Sequence, residues 1–468
     1  MATARSLGRA GGDVENVMYY EVYPAQGLQA DELEIMRRQL LESVLPHMHG
    51  HIWQRDCFNL RSSFVKRPPW QQQAAGKGAQ PACLWGSVCF GDNLEDEWFV
   101  TWLLLELTRR QAGTVVRAWD SDGDYLLIEA AYSLPKWLKP ETSHNRVWLH
   151  NGKVHVVLLP SASNPSLPPA PTVEQALQIV RAEGVSTEAS AGVQRAITDR
   201  LAGYPAKAAA EMHTARCVLP ARLAHVLSRE QQLVAPAVEA FHYRDVDDMK
   251  AAARLAHFPA EDMVSTLVTF NRCLYAQLAQ QQFEAPRGFP LPLPSHPAFR
   301  AAELGMKLTC GFEMMYCNRA RFGAEQYQQT EVYQQSTVAL AAPARRLEEL
   351  LKEPINPEAL QQAGAGAEDD DSWMRSGAAE LEAELQQRQQ EMQGDLDRHA
   401  ARSAGQPAAD SSFDPANLAS QLQEFVATMS SYEGAELPDS GREQGLPGPA
   451  SNLAGLLGLR LPENADTA

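Results

Sequence analysis

Four carboxylates fall within six positions of the stretch FGDNLEDEWFVTWLLLEL: Asp92, Glu95, Asp96 and Glu97. Acids this close can share acid and base work. Glu95 and its neighbours, taken with Asp120, Asp122 and Asp124 of DSDGD, form the best catalytic candidate in the chain. The same acids also have a structural reading, which we prefer. Asp92 can cap a helix with Glu95 three residues on, the spacing of a capping box, and three acids in a first turn complement the helix dipole. Trp98, Phe99, Trp102, Leu103 and Leu105 then surround most of that helix, as burial on more than one side requires.

Two other clusters could hold a metal. DSDGD resembles a calcium loop, but glycine falls at loop position 4 rather than 6, and position 12 is Ala131 rather than Glu. A hairpin turn is expected there instead. On a strand, His47, His49 and His51 of HMHGH would share a face and could ligate a metal. No acid or cysteine nearby completes that set, so these read as surface or turn histidines. The chain lacks G-x-S-x-G, a Walker A loop, G-x-G-x-x-G and H-E-x-x-H.

The C-terminal part carries signals of another kind. In GAEDDDSWM, the acids Glu368, Asp369, Asp370 and Asp371 stand beside Trp373, an aromatic anchor suited to a basic-rimmed pocket on a partner; the alternative is a solvated charge run. Further on, Asp414 and Pro415 suit the start of a helix, with Phe413 and Leu418 at the spacing of a hydrophobic staple. Leu418, Leu422, Phe425 and Met429 form one apolar stripe on it. So short a helix is not stable alone in water, and it should dock on its own body or in a partner's groove. SNLAGLLGLRLP, starting at Ser451, repeats the docking pattern.

The elements that must position these residues follow from patterning. VMYYEVYP reads as a strand, residues 31–44 as an amphipathic helix, and residues 66–82 as a Gly/Gln/Pro-rich loop. Hairpins are expected at Asp122-Gly123 and Asn151-Gly152, each flanked by β-formers. This gives an α+β domain over 17–160 behind a loose N-terminus (1–16), closed by the proline-rich linker 161–172. Residues 173–330 read as four to six packed helices, one over 260–282. Residues 331–468 read as a mostly disordered acidic tail with short helical docking motifs.

At 468 residues and 44% apolar content the chain can bury a sizeable core. Its net charge of −17 is lopsided, with −13 carried by residues 361–468. A near-neutral body beside an anionic tail gains little from releasing counterions, so no direct nucleic-acid partner is expected. Seven scattered cysteines without a C-x-x-C pair read as reduced thiols. No apolar run reaches the roughly 18 residues of a membrane span. No cofactor is implied.

Several stretches together resemble the ecdysoneless family of cell-cycle regulators: HIWQRDCFNL, FGDNLEDEWFV, DGDYLLIEAAYSLPKWLKPETSHNRVW, RLAGYPAKAAAEMHTARCVLP, FNRCLYAQLAQQQF and AAELGMKLTCGFE, then EDDDSW, GAELP and GPASNLAGLLGLRLPENAD. The resemblance implies a non-enzymatic regulatory adaptor of the nucleus and cytoplasm. Its implied roles are in the cell cycle, transcriptional co-activation and pre-mRNA splicing. The implied partners are proteins: the central spliceosomal scaffold, an AAA-ATPase co-chaperone complex and transcription regulators. An acidic-tail co-activator, and an enzyme using the carboxylates around Glu95 and Asp120, are the alternatives. Animal members carry a long phosphorylated acidic stretch read by the co-chaperone, yet here only a short segment separates GAELP from GPASN. Ser372, followed by Trp-Met-Arg, poorly suits a kinase that prefers acids downstream.

Overall fold

Alternating aromatic and branched residues make VMYYEVY a strand, β1 (Val17–Tyr23), third in a six-stranded sheet ordered β2-β3-β1-β4-β5-β6. The other strands are β2 (Arg61–Ser62), β3 (Leu84–Cys89), β4 (Val115–Asp120), β5 (Val147–His150) and β6 (Lys153–Val156), and every pairing is antiparallel. The computed structural model describes residues 16–65, 81–318 and 343–374, apart from positions 122, 163, 183 and 185. The α+β class expected from the sequence is the class observed.

Met18, Tyr20 and Val22 of β1 point to one face, where α1 (Ala30–Met48) and α2 (Leu94–Arg110) cover them. α1 contributes Leu33, Met36, Leu40 and Val44 to this core, at the three- and four-residue spacing of one helix face. On the opposite face Tyr23, Val115 and Trp148 form a second apolar cluster.

The hairpin expected at Asn151-Gly152 joins β5 to β6, and both turn residues have positive φ, 49° and 72°. The one expected at Asp122-Gly123 does not form. Asp120 accepts from the Gly123 N–H (2.7 Å) and donates its own N–H to the Gly123 carbonyl (2.9 Å), after which the chain enters α3 (Tyr125–Glu129). β4 pairs with β1 along its whole length on one edge, and β5 takes Val115 and Val116 on the other. Tyr125, Leu126 and Leu127 are buried in succession, which a helix end permits and an alternating strand does not.

The proline-rich segment 161–172 is not where this lobe ends. Asn145 Nδ2 donates to the Pro171 carbonyl (3.0 Å) and Arg146 to that of Pro169 (2.6 Å), tying the segment to the sheet. Beyond it, α4 (Val173–Arg181) lays Ala176, Leu177 and Val180 on the second apolar cluster. α5 (Ala191–Arg200) and α6 (Ala206–Ala210) complete the first core with Val193, Ile197 and Ala208.

The remainder was expected to be wholly helical, and it is not. β7 (Met212–Pro220) and β8 (Met263–Asn271) form a two-stranded antiparallel ribbon, paired from Met212↔Asn271 to Pro220↔Met263. The helix anticipated over 260–282 is therefore a strand over Met263–Asn271. MVSTLVTFN is rich in β-branched residues, and Asn271, accepting from the Leu274 N–H (2.7 Å), starts the short helix only afterwards. Around the ribbon lie α7 (Ala221–Arg229), α8 (Val234–His242), α9 (Val246–Arg254), α10 (Arg272–Ala279) and α11 (Phe299–Cys317). α11 is buried continuously from Leu304 to Met315. A Cβ on Gly305 would lie 1.9 Å from the Val218 carbonyl oxygen, so only glycine lets α11 lie this close to β7. α12 (Pro343–Leu350) and α13 (Pro357–Gly364) pack on this lobe, short helices within the stretch expected to be mostly disordered with short helical docking motifs.

Candidate functional site

The first turn of α2 is where segments far apart in sequence meet. Its N-cap is Asn93, with no side-chain cap bond, so the expected Asp92–Glu95 capping box is not formed. The two acids are used elsewhere. Glu95 accepts from Tyr204 (2.5 Å) and pairs with Arg200 (2.8 Å) and Lys207 (2.9 Å), all three from RLAGYPAK. Asp96 has no exposure; its Oδ1 lies 2.9 Å from His51 Nε2, and its Oδ2 accepts from the Gln54 N–H at 2.8 Å. Asp92 faces the ribbon lobe, accepting from Gln277 Nε2 (2.7 Å) and the Tyr243 hydroxyl (3.2 Å).

Asp96 thereby shapes HIWQR into the bridge between lobes. The Ile52 carbonyl accepts from Asn271 Nδ2 (3.1 Å), and the Ile52 side chain enters the ribbon lobe's core. Gln54 donates to Gln277 (2.9 Å), Arg55 pairs with Glu239 (3.3 Å), and Gln232 donates to the His51 carbonyl. His51 is buried, not a surface histidine as expected, while His47 sits in the last turn of α1 and His49 follows it. The helix carries the chain through His47, so the strand that would have aligned the three histidines is absent.

The electrostatics fit structural bonds better than proton transfer. Burial alone would raise the Glu95 pKa, but the bonds from Tyr204, Lys207 and Arg200 outweigh it and hold the carboxyl below its usual range. A carboxylate kept ionised in this way is a poor general acid at neutral pH. Asp124 is shifted the other way, burial outweighing Ser143, Arg117 and His144. Glu95 and Asp120 engage different partners, Glu95 the residues of 200–207 and Asp120 its own loop at Gly123.

The acidic–aromatic segment finds its basic-rimmed pocket on its own chain. Beyond α13, Arg216 reaches the carbonyls of Gly364 (3.1 Å) and Gly366 (2.8 Å) from the outer face of the ribbon. The strap then satisfies the free edge of β7. Asp369 donates its N–H to the Thr214 carbonyl (2.8 Å) and accepts from the Thr214 N–H (2.6 Å), and Glu368 accepts from the Arg216 N–H (3.2 Å). Asp371 pairs with Arg300, and Asp370 accepts from the Ser372 hydroxyl. Trp373 packs on His213 and Tyr275, with the Arg272 guanidinium 5.2 Å from its ring centre. Glu368, Asp369, Asp371 and Trp373, expected to meet a partner, are thus engaged internally. The other proposed contacts, Leu418, Leu422, Phe425 and Met429, lie outside the described residues.

Reading the residues alone missed His51, Gln54, Arg200, Tyr204 and Lys207 as partners of the acids, and Arg216, Arg272 and Arg300 as the strap's receptor. All lie within the quoted motifs except Arg300, which precedes one, so the motifs marked the place without revealing the pairings.

Comparison with known proteins agrees with this mapping of motifs. A family profile described as SGT1 protein matches residues 18–323 and 318–447. The chain is 33% identical to the protein ecdysoneless homolog of Arabidopsis thaliana over 478 residues, covering 91% of this chain and 72% of that one. It is 36% identical to the homolog of Schizosaccharomyces pombe, over 72% of this chain and 52% of the relative. It is 29% identical to the protein ecdysoneless of Drosophila melanogaster, over 86% and 64%. The chain thus spans between half and three quarters of these relatives' lengths. No solved structure matches it.

Proposed function

The chain belongs to the ecdysoneless family of regulatory proteins, and on that footing we propose that it works as a non-enzymatic adaptor. The observation that supports this reading most is the use made of the acids: Asp92, Glu95 and Asp96 are each bonded to another segment, joining the body into a platform. In this proposal the platform and the segment beyond Gly377 hold separate partners. The partners follow from the family resemblance: the spliceosomal scaffold protein, an AAA-ATPase co-chaperone complex and transcription regulators, met in the nucleus and cytoplasm. The adaptor would assemble or stabilise the scaffold for pre-mRNA splicing, with consequences for transcription and the cell cycle. Contact with the segment beyond Gly377 would run through Leu418, Leu422, Phe425 and Met429.

The test is affinity purification of the tagged full chain beside a chain ending at Gly377, with bound proteins identified by mass spectrometry. The shorter chain keeps α12, α13 and the strap, which a cut near residue 340 would strip from the body. We expect the scaffold and co-chaperone components with the full chain and a subset with the shorter one. Recovery of neither from either chain would sink the adaptor reading.

A further inference from the structure

A His, a Glu and a Cys converge where α11 ends. Glu313 and Cys317 stand one turn apart on its last turn, and His257 is presented by the loop between α9 and β8. His257 Nδ1 lies 2.8 Å from Glu313 Oε1, and Cys317 Sγ lies 3.7 Å from that nitrogen and 3.6 Å from that oxygen. We propose that His257, Glu313 and Cys317 form a site for a divalent transition-metal ion of the zinc class, with the fourth position left to water.

Three observations carry this. The first is geometry. Tetrahedral zinc at its usual bond lengths places sulfur roughly 3.6 Å from a nitrogen or oxygen ligand, and nitrogen roughly 3.3 Å from oxygen. Both sulfur distances already match. The short nitrogen–oxygen distance is that of a hydrogen bond, so the metal takes the place of a shared proton and opens that pair by roughly 0.5 Å.

The second is rigidity. The Glu313 carboxylate, 1% exposed, accepts from the backbone N–H groups of Ala256 (3.0 Å), His257 (3.0 Å) and Phe258 (3.0 Å). Those bonds fix its orientation, as supporting bonds do for a ligating carboxylate. The imidazole packs on Tyr316 at 4.5 Å between ring centres and is 43% exposed, which leaves an ion a route in. The third is charge. Cys317 is the last residue of α11, where the helix's terminal carbonyls favour a cation.

The donor set suits zinc or cobalt rather than calcium or magnesium, which take oxygen ligands. Binding releases the thiol proton to solvent. The proton on Nδ1 of the neutral imidazole moves to Nε2. Anchoring the loop accounts for Glu313 alone; the approach of Cys317 and the imidazole to the same oxygen is what the metal explains.

Cobalt(II) titration of the full chain tests it. The expected result is one equivalent bound, with a thiolate-to-cobalt charge-transfer band and the strong visible absorption of four-coordinate cobalt. Cys317→Ser should abolish the charge-transfer band. His257→Ala should weaken zinc binding by more than the roughly tenfold to hundredfold that loss of an outer-shell partner causes. Zinc should raise the melting temperature of the parent chain but not of Cys317→Ser. Both side chains are exposed or half-exposed, so each variant should melt like the metal-free parent. Absence of the band in the parent chain, or a band and zinc affinity that survive Cys317→Ser and so belong to another cysteine, would overturn the site.

Discussion

Glu95 shows how one carboxylate can hold distant segments together. Its partners, Arg200, Tyr204 and Lys207, all lie more than a hundred residues further along the chain. Glu95→Gln keeps the shape but loses the charge. It should lower stability by about 2 kcal/mol at neutral pH, read by urea denaturation. The sign with pH follows from the depressed pKa. Stabilisation by the ionised group is complete above the ordinary value of 4.5 and is lost as pH falls through the lower folded value. The gap between parent and variant should therefore narrow as pH is taken below 4.5, and a gap of unchanged width in acid would show that charge is not what matters. Asp96 is wholly buried and orders His51 and Gln54, so Asp96→Ala should be worse, by about 3 to 5 kcal/mol.

At the scale of elements, the ribbon depends on being covered. β7 would otherwise present an open edge at Thr214 and Arg216, and the strap from Gly366 to Met374 closes it with bonds, charge and an indole. Replacing Trp373 with Ala should detach the strap while leaving the core in place. Amide exchange at Thr214 and Arg216 should then accelerate at least about tenfold, with the α11 amides unchanged. Equal acceleration in both places would mean that the strap holds the lobe together rather than only covering it. α11 is sensitive in another way. Gly305→Ala must push the helix off the Val218 backbone, and a loss of about 3 kcal/mol or more is expected in the same denaturation assay.

At the scale of the molecule, the two sheets lie within a single compact unit ending at Gly377. A fragment of residues 17–160 would lose the α4 side chains that cover Tyr23, Val115 and Trp148, all three partners of Glu95, and the core that receives Ile52. It should therefore be recovered as aggregate, whereas the chain ending at Gly377 should be monodisperse by light scattering. A soluble, cooperatively melting 17–160 fragment would show that the lobes fold independently.

What the sequence determined by itself was local. Alternation in VMYYEVY, the three- and four-residue stripe of α1 and the positive-φ pair Asn151-Gly152 each depend on neighbours in the chain, and each is found as expected. The family was also legible, because several ordered motifs survive where a single pattern would not suffice. Tertiary structure alone decided the rest. MVSTLVTFN became a strand because β7 and α11 supply its pairing and its core, and YLLIE became a helix that buries Tyr125, Leu126 and Leu127 together. The acids around Glu95 had the spacing of a cap, yet an ionic group is placed by the cations and donors that fold around it. Those partners come from segments whose approach no local pattern encodes, and the strap's pocket of Arg216, Arg272 and Arg300 exists only once β7, α10 and α11 are assembled.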